Sequence, residues 1–203
     1  MKKLISIIAA LAVCITLTAC NGSKPKDEFA GLELVNLSEN VNRIRYDTLE
    51  ALEYGSDVIV VGKFIDESVQ TADYEYDPNA GRDIFTYIRS FNTLEVTKVI
   101  SGNVNVGDHL KVGQSYGVID DRLISFSKLT PMQKGDEWIF FLLYAPDLDD
   151  TYWCAGDSDG RYPTKNSSNN EIMPLSDTPE LGVYDERDFK HVIYDEIVKK
   201  YDI

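Results

Sequence analysis

The chain has 203 residues, of which 43% are hydrophobic and 27% are charged, and its formal net charge at pH 7 is −14. Such an acidic chain lacks the excess of Lys and Arg that neutralises phosphates, which argues against nucleic acid as a partner. The length allows one ordinary domain with a sizeable core and is too short for the two lobes of a transporter-type solute receptor. No nucleophile elbow, Walker loop or dinucleotide fingerprint occurs, so the sequence predicts neither a cofactor nor an enzyme.

The N-terminus has the pattern of an export signal. Two lysines after Met1 precede an uncharged apolar run over residues 4–17. A membrane-spanning helix needs ~20 apolar residues, so this shorter run favours a cleaved signal peptide. The run ends in Leu17-Thr18-Ala19-Cys20, which resembles the lipobox of bacterial lipoproteins. The alternative is an ordinary secretory signal with an incidental cysteine.

The lipobox resemblance implies that Cys20 is lipidated and becomes the first residue of the mature protein. Residues 1–19 are then the cleaved signal peptide, residues 20–28 a flexible tether and residues 29–203 a single β-rich domain. A diacylglycerol supplies the two chains that stable anchoring requires, so the membrane is the first expected partner. We therefore expect a protein that is lipid-anchored at the extracytoplasmic face of the cell membrane. Loss of the two lysines leaves 18 basic residues against 34 acidic ones, a formal charge of −16.

The first part of the mature sequence predicts one short helix between strands. Residues 32–37 suggest a first short strand, and residues 46–54 predict a helix that Asp47 or Thr48 caps and Gly55 ends. Residues 57–65 form a β-branched run that is apolar on both faces. This pattern is typical of a central strand.

The middle of the chain predicts a series of strands joined by turns. A long strand pattern over residues 84–100 either curves around a barrel or is broken by a bulge near Ser90. It leads into a hairpin over residues 91–113, and residues 116–126 predict a second hairpin. Residues 137–144 contain six consecutive apolar residues and predict the most buried strand.

The C-terminal part predicts a hairpin and a helix. Residues 157–160 have turn chemistry between the strand patterns 152–154 and 160–162. Residues 186–201 predict an amphipathic helix with Asp185 as its cap. Its apolar face is expected to contain Phe189, Val192, Ile193, Ile197 and Val198. The sequence as a whole predicts a mainly β fold, a small OB-like or related antiparallel barrel with one early helix and one terminal helix.

A second resemblance supports the barrel. Four segments, residues 56–63, 94–102, 107–112 and 134–142, resemble a set that recurs in uncharacterised exported proteins of Gram-positive bacteria. They are also loosely similar to the OB-type barrel of netrin-like and metalloproteinase-inhibitor domains. The inhibitor family acts through a Cys-rich N-terminus that the mature chain lacks. The resemblance therefore implies the fold and not the inhibitory activity.

Cys154 is the first candidate for chemistry. It is the only cysteine left once the signal peptide is removed and Cys20 is lipidated, so no intramolecular disulfide forms in the mature domain. Its apolar surroundings in sequence predict a small buried hydrophobe. The alternative is a nucleophile that meets His109 or His191 in space. Neither histidine has a second histidine at helical spacing, so the sequence has no histidine-based zinc motif.

Clustered carboxylates raise the question of calcium, which binds oxygen ligands. The candidates fall within thirteen residues and are Asp147, Asp149, Asp150, Asp157 and Asp159. The EF-hand pattern fails because Ala155 falls at the first ligand position when Gly160 is taken as its glycine. The sequence predicts surface turns here, and no metal, with calcium as the alternative.

A set of aromatic residues suits either core or edge packing, as is ordinary for aromatics in strands, or a binding face like that of OB-type barrels. They are Tyr74, Tyr76, Tyr87, Tyr116, Tyr144, Tyr152, Trp153 and Tyr162. The sequence therefore predicts a membrane-anchored extracytoplasmic lipoprotein that serves as a binding or interaction module for a protein or glycan. The ligand-binding residues stay unassigned. The alternatives are an accessory subunit of an envelope complex or an enzyme that uses Cys154 with a histidine.

Overall fold

The computed structural model describes residues 29, 31–37, 44–126, 131–132, 134–165, 167 and 186–203. The mainly β fold predicted from the sequence is confirmed, with one early and one terminal helix. In chain order the elements are β1 (Glu33–Asn36), α1 (Leu49–Tyr54), β2 (Val58–Phe64), β3 (Val69–Asp77), β4 (Arg82–Ser101), β5 (His109–Gln114), β6 (Tyr116–Ile119), β7 (Arg122–Ser125), β8 (Glu137–Ala145), β9 (Thr151–Cys154), β10 (Arg161–Pro163) and α2 (Glu186–Tyr201).

Five strands close into a barrel. β8 pairs with β2, β2 with β4, β4 with β5 and β5 with β9, and β9 returns to β8. Every pairing in this ring is antiparallel except the short parallel contact between β5 and β9. Closure satisfies the backbone groups that an open sheet would leave at its two edges.

The barrel interior is filled by the inward-facing residues of alternate strand positions. Buried members of this core include Val58, Val60, Phe64, Leu94, Val96, Leu110, Val112, Trp138, Phe140 and Leu142. Gly62 permits the close approach of β2 and β4, because a Cβ at this position would lie 2.7 Å from Leu94 Cδ1. The predicted central strand β2 and the predicted most buried strand β8 are neighbours in the ring.

β4 runs without interruption for 20 residues and so follows the first of the two arrangements that the sequence left open. Its first half pairs with β3 and its second half with β2. The pairing of β4 with β3 shifts register between Asp73 and Tyr74, and its pairing with β2 shifts at two positions, after Ile59 and after Val61. None of these shifts lies at Ser90, where the sequence suggested a bulge. These shifts allow one strand to curve from a two-stranded ribbon into the barrel wall.

A second, three-stranded sheet has the order β1–β7–β6, with β1 parallel to β7. It packs against the first half of β4 through a small cluster around Ile88, Ile124 and Phe126. Asp120 and Asp121 form the β6–β7 turn with φ of 50° and 58°, as a tight hairpin turn with two left-handed residues requires. The second hairpin predicted from the sequence is confirmed.

The predicted hairpin between residues 152–154 and 160–162 is wrong. β9 and β10 do not pair with each other, because both lie along the same edge of β8. Cys154 stands opposite Leu142 and Arg161 opposite Phe140, so residues 155–160 leave the strand as a loop. The amide of Ala155 donates to the carbonyl of Phe141 at 2.8 Å. Pairing with the buried strand β8 therefore overrides the local turn preference.

The terminal helix α2 has the predicted bounds but not the predicted face. Ile193 and Ile197 are buried, whereas Val192 is 57% exposed and Val198 is also exposed, so those two assignments are wrong. The buried face instead includes Lys190 and, in part, Tyr194. The side chain of Phe189 and the predicted cap Asp185 lie outside the described residues. Within the described part of the chain, no helix is both long and apolar enough to span a membrane.

The early helix α1 begins three residues later than the sequence suggested. Thr48 is its cap, since the Thr48 hydroxyl accepts a hydrogen bond from the amide of Ala51 at 3.1 Å. Gly55 ends it. Leu49 and Leu52 are buried against the outer side of the barrel, in the same cluster as Ile193 and Ile197 of α2.

Candidate functional site

The strongest sequence signal lies outside the described residues. The lipobox at residues 17–20 and the tether at residues 20–28 are not among them. Lipidation of Cys20 therefore stays a prediction.

Cys154 faces the barrel interior and is buried. Burial raises the pKa of its thiol to about 11, with the nearby Arg161 acting in the opposite direction. A nucleophilic cysteine needs a lowered pKa and access to substrate. His109 and His191 are both exposed, on β5 and α2. The geometry thus favours the packing role of Cys154 over the nucleophile role.

The five aspartates considered for calcium fall into two separate groups. Those at residues 147–150 lie at the β8–β9 turn, and those at 157 and 159 lie in the loop beyond the far end of β9. Asp149 pairs with Lys111, which lowers the pKa of the Asp149 carboxyl. Asp150 accepts a hydrogen bond from the Tyr144 hydroxyl at 2.7 Å. Across the described ranges, no three carboxylate, histidine or cysteine groups gather as potential metal ligands.

The barrel holds a layer of buried polar side chains that the sequence reading missed. The guanidinium of Arg161, which is only 2% exposed, donates to Gln114 Oε1. Gln114 Nε2 donates to Asn92 Oδ1 at 3.2 Å, and the Ser68 hydroxyl donates to the same oxygen at 3.1 Å. Arg161 also lies over the ring of Trp138, 5.5 Å from the centroid.

The signal for this layer was present in the alternation of β4. Ser90 and Asn92 occupy the same inward-facing positions as Leu94 and Val96, so the strand runs from a polar to an apolar interior. Burial lowers the pKa of Arg161, yet a guanidinium keeps its charge in proteins. Because these groups bond to one another and are shielded from solvent, we assign the layer to the scaffold.

The aromatic residues considered as a binding face fall into a buried, a half-buried and an exposed group. Tyr116 and Tyr162 belong to the interior. Trp153 lies flat on β5 over Gly113, where a Cβ would come within 2.8 Å of its ring. Tyr74 and Tyr76 are the most exposed of the set, at 56% and 64%.

Tyr74 and Tyr76 lie on a two-stranded ribbon, which we define as β3 together with residues 82–91 of β4. β3 pairs with β4 along its whole length and with no other strand in the described part of the chain. Rings form a continuous row on the ribbon and the adjoining sheet. Their centroid separations are 4.5 Å from Tyr87 to Phe126, 6.3 Å from Phe126 to Phe85 and 6.1 Å from Phe85 to Tyr74. The row leads from packed rings outward to an exposed one.

Charge on β3 alternates with these tyrosines. Side chains of successive strand residues point to opposite faces, so Tyr74 and Tyr76 share one face and Asp73, Glu75 and Asp77 share the other. Asp73 forms an ion pair with Arg89, and Asp77 accepts a hydrogen bond from the amide of Asn79 at 2.8 Å. Glu75 is exposed to solvent on this face.

A second open surface lies between α1 and α2. This groove is lined by Leu49, Glu50, Glu53, Glu196, Lys199 and Lys200. The Lys200 ammonium binds Glu53 at 2.6 Å, and the Tyr201 hydroxyl donates to the same carboxylate. Because Lys200 and Glu53 already bond to each other, the groove offers less to a ligand than the ribbon does.

Comparisons of the chain with known family models, with curated proteins and with solved structures find no match. The ribbon is the strongest candidate site because it combines exposed aromatic side chains with a strand edge that pairs with no other strand of the described residues.

Proposed function

We propose that the protein is a lipid-anchored extracytoplasmic binding module that holds a protein partner through the β3–β4 ribbon. The observation that carries this proposal is the exposure of Tyr74 and Tyr76 beside a strand edge that no other described strand covers. Tyrosine is favoured at protein interfaces because its rigid ring buries a large area while its hydroxyl stays hydrogen-bonded.

The ribbon suits a protein better than a glycan. An unpaired strand edge presents amide and carbonyl groups at a regular spacing that an extended polypeptide matches. A sugar chain has no such repeat of alternating donors and acceptors. A permanent accessory subunit of an envelope complex would use the same surface, and it differs from a reversible module only in the lifetime of the contact.

The anchor half of the proposal rests on Cys20. We expect Cys20→Ala to move the protein from the membrane fraction to the soluble extracytoplasmic fraction, because the lipid would be lost. Cys14→Ala is the matched control, since Cys14 lies in the apolar run of the signal and not at the lipobox cysteine position. Fractionation of cells with detection of the protein gives the answer. A Cys20→Ala protein that stays in the membrane fraction although its signal peptide has been removed would contradict the anchor.

The binding half is tested by the double variant Tyr74→Ser/Tyr76→Ser. Chemical cross-linking in intact cells, followed by purification of the tagged protein, should recover a partner whose yield falls about tenfold in the double variant. Tyr54→Ser is the control, because Tyr54 is 94% exposed but lies on α1. Equal recovery from all three proteins would exclude the ribbon, and failure to recover any partner would exclude the binding module.

A further inference from the structure

We propose that the free edge of β3 accepts an extended segment of the partner as an added strand, and that this segment alternates basic and apolar residues. The inference rests on the proposed binding function and specifies the chemistry of the ligand.

The backbone of β3 supplies the first part of the argument. Its partner β4 covers one edge from Val69, opposite Phe91, to Asp77, opposite Arg82. In an antiparallel pair, every second residue directs its N–H and C=O away from the partner strand. On the outer side of β3 these groups meet no strand within the described ranges. The edge is nine residues long, enough for several main-chain hydrogen bonds to an added strand.

The side chains of β3 supply the specificity. On one face a new strand would lie beside Tyr74 and Tyr76, which favour apolar or aromatic neighbours. On the other face it would lie beside Asp73, Glu75 and Asp77, which favour Lys or Arg. Because residues of the added strand also alternate between faces, the complementary sequence is an alternation of basic and apolar residues.

The same charges select the occupant. A second copy of this chain would bring its own carboxylates to the edge, and like charges directly opposite each other are unfavourable. Charged residues on an edge strand commonly prevent such self-pairing. The formal net charge of −14 adds to the repulsion between copies and favours a basic partner. The charges on β3 thus disfavour pairing with a second copy of this chain and favour pairing with a cationic strand.

The test uses the full-length protein in detergent micelles and a capped ten-residue peptide that alternates Lys and Val. We expect this peptide to bind with an affinity that falls as salt is raised, and the Glu–Val counterpart not to bind. Hydrogen–deuterium exchange resolved to single amides should show new protection at every second residue of β3, since the others already bond to β4. Protection elsewhere, or binding of both peptides alike, would overturn the proposal.

A charge reversal locates the contact. Glu75→Lys should weaken binding of the Lys–Val peptide roughly tenfold, because an attractive cross-strand pair becomes a repulsive one. Asp195→Lys carries the same charge change on the exposed side of α2 and should leave the affinity unchanged. An unchanged affinity for Glu75→Lys would refute strand addition at β3. If the peptide fails to bind but cross-linking still recovers a tyrosine-dependent partner, strand addition is wrong and the binding module stands.

Discussion

Aspartate has a conformational role in this protein that its carboxylate chemistry alone does not suggest. In the described residues, every non-glycine residue with positive φ is an aspartate. The left-handed region is costly for most side chains, but Asp tolerates it because its short polar side chain bonds locally. Asp149, Asp150 and Asp157 belong to this group, with φ of 57°, 49° and 56°. Turn geometry thus accounts for the presence of three of the five calcium candidates.

Because Cys154 is buried, it makes the free energy of unfolding depend on pH in the alkaline range. Burial on folding raises the pKa of its thiol from the ordinary value of 9.0 to about 11. Below pH 9 the thiol is protonated in both states and its contribution to stability is complete. Between pH 9 and 11 the unfolded state loses its proton first, so the free energy of unfolding falls as pH rises.

We therefore expect Cys154→Ala to flatten the alkaline part of the stability profile. Between pH 8.5 and 11 the wild-type protein should lose on the order of 2 kcal/mol more unfolding free energy than the variant. Urea denaturation at a series of pH values measures this difference, because every other ionisable group is common to the two proteins and its contribution cancels. Parallel profiles for the two proteins would show that the buried thiol is not the cause.

At the scale of elements, α2 shows why a helix can be located from its sequence while its orientation is misjudged. The apolar residues at 192, 193, 197 and 198 span two adjoining stripes, and either could face the barrel. The barrel selects the stripe that contains Ile193 and Ile197, because these side chains meet Phe141 and Leu52 in one cluster. Lys190 lies on this stripe and is buried, with its ammonium 5.0 Å from the centre of the Tyr162 ring.

This orientation predicts unequal effects of two similar truncations. Ile197→Ala should lower the free energy of unfolding by about 2–5 kcal/mol, because it leaves a cavity between α2 and the barrel. Val192→Ala should change it by less than about 0.5 kcal/mol, since Val192 is mostly exposed. Urea unfolding of both variants gives the comparison. Similar losses would mean that α2 packs with the face predicted from the sequence.

At the scale of the whole molecule, the barrel and the β1–β7–β6 sheet are two separate layers that meet at the first half of β4. The barrel is built around a large buried cluster, whereas the β1–β7–β6 sheet contacts β4 through a smaller one. Regions with fewer buried contacts open locally at lower free energy than the global core. The first half of β4 therefore connects a stable barrel to a less stable sheet beside the proposed binding ribbon.

Hydrogen exchange of the free protein tests this division. Amides of β2 and β8 should exchange only through global unfolding, and amides of β6 and β7 should exchange faster through local opening. The expected ratio of rates is at least about tenfold, and it should persist under conditions where the barrel is fully native. Uniform protection across all four strands would show that the two layers unfold as one unit.

Local patterns were sufficient to locate most elements. Continuous apolar runs within residues 57–65 and 137–144 predicted β2 and β8, and turn chemistry predicted the hairpin after Tyr116. Such signals depend only on neighbours along the chain, so a single sequence contains them. The turn chemistry of residues 157–160 nevertheless predicted a hairpin that does not form. Both flanking strands pair with β8, and this pairing outweighs the local preference for a turn.

The sequence by itself determined most of the strands, the two helices and the acidic charge, and it predicts the lipid anchor; β3 was not among the predicted strands. Only the tertiary structure decided which residues face water. Tyr74 and Tyr116 both lie on strands, yet Tyr74 is 56% exposed and Tyr116 is completely buried. Asn92 and Arg161 are polar in sequence, yet both are buried where distant strands supply their partners. Exposure depends on contacts between segments far apart in the chain, and for this physical reason the ribbon could not be recognised as a candidate site before the barrel was known.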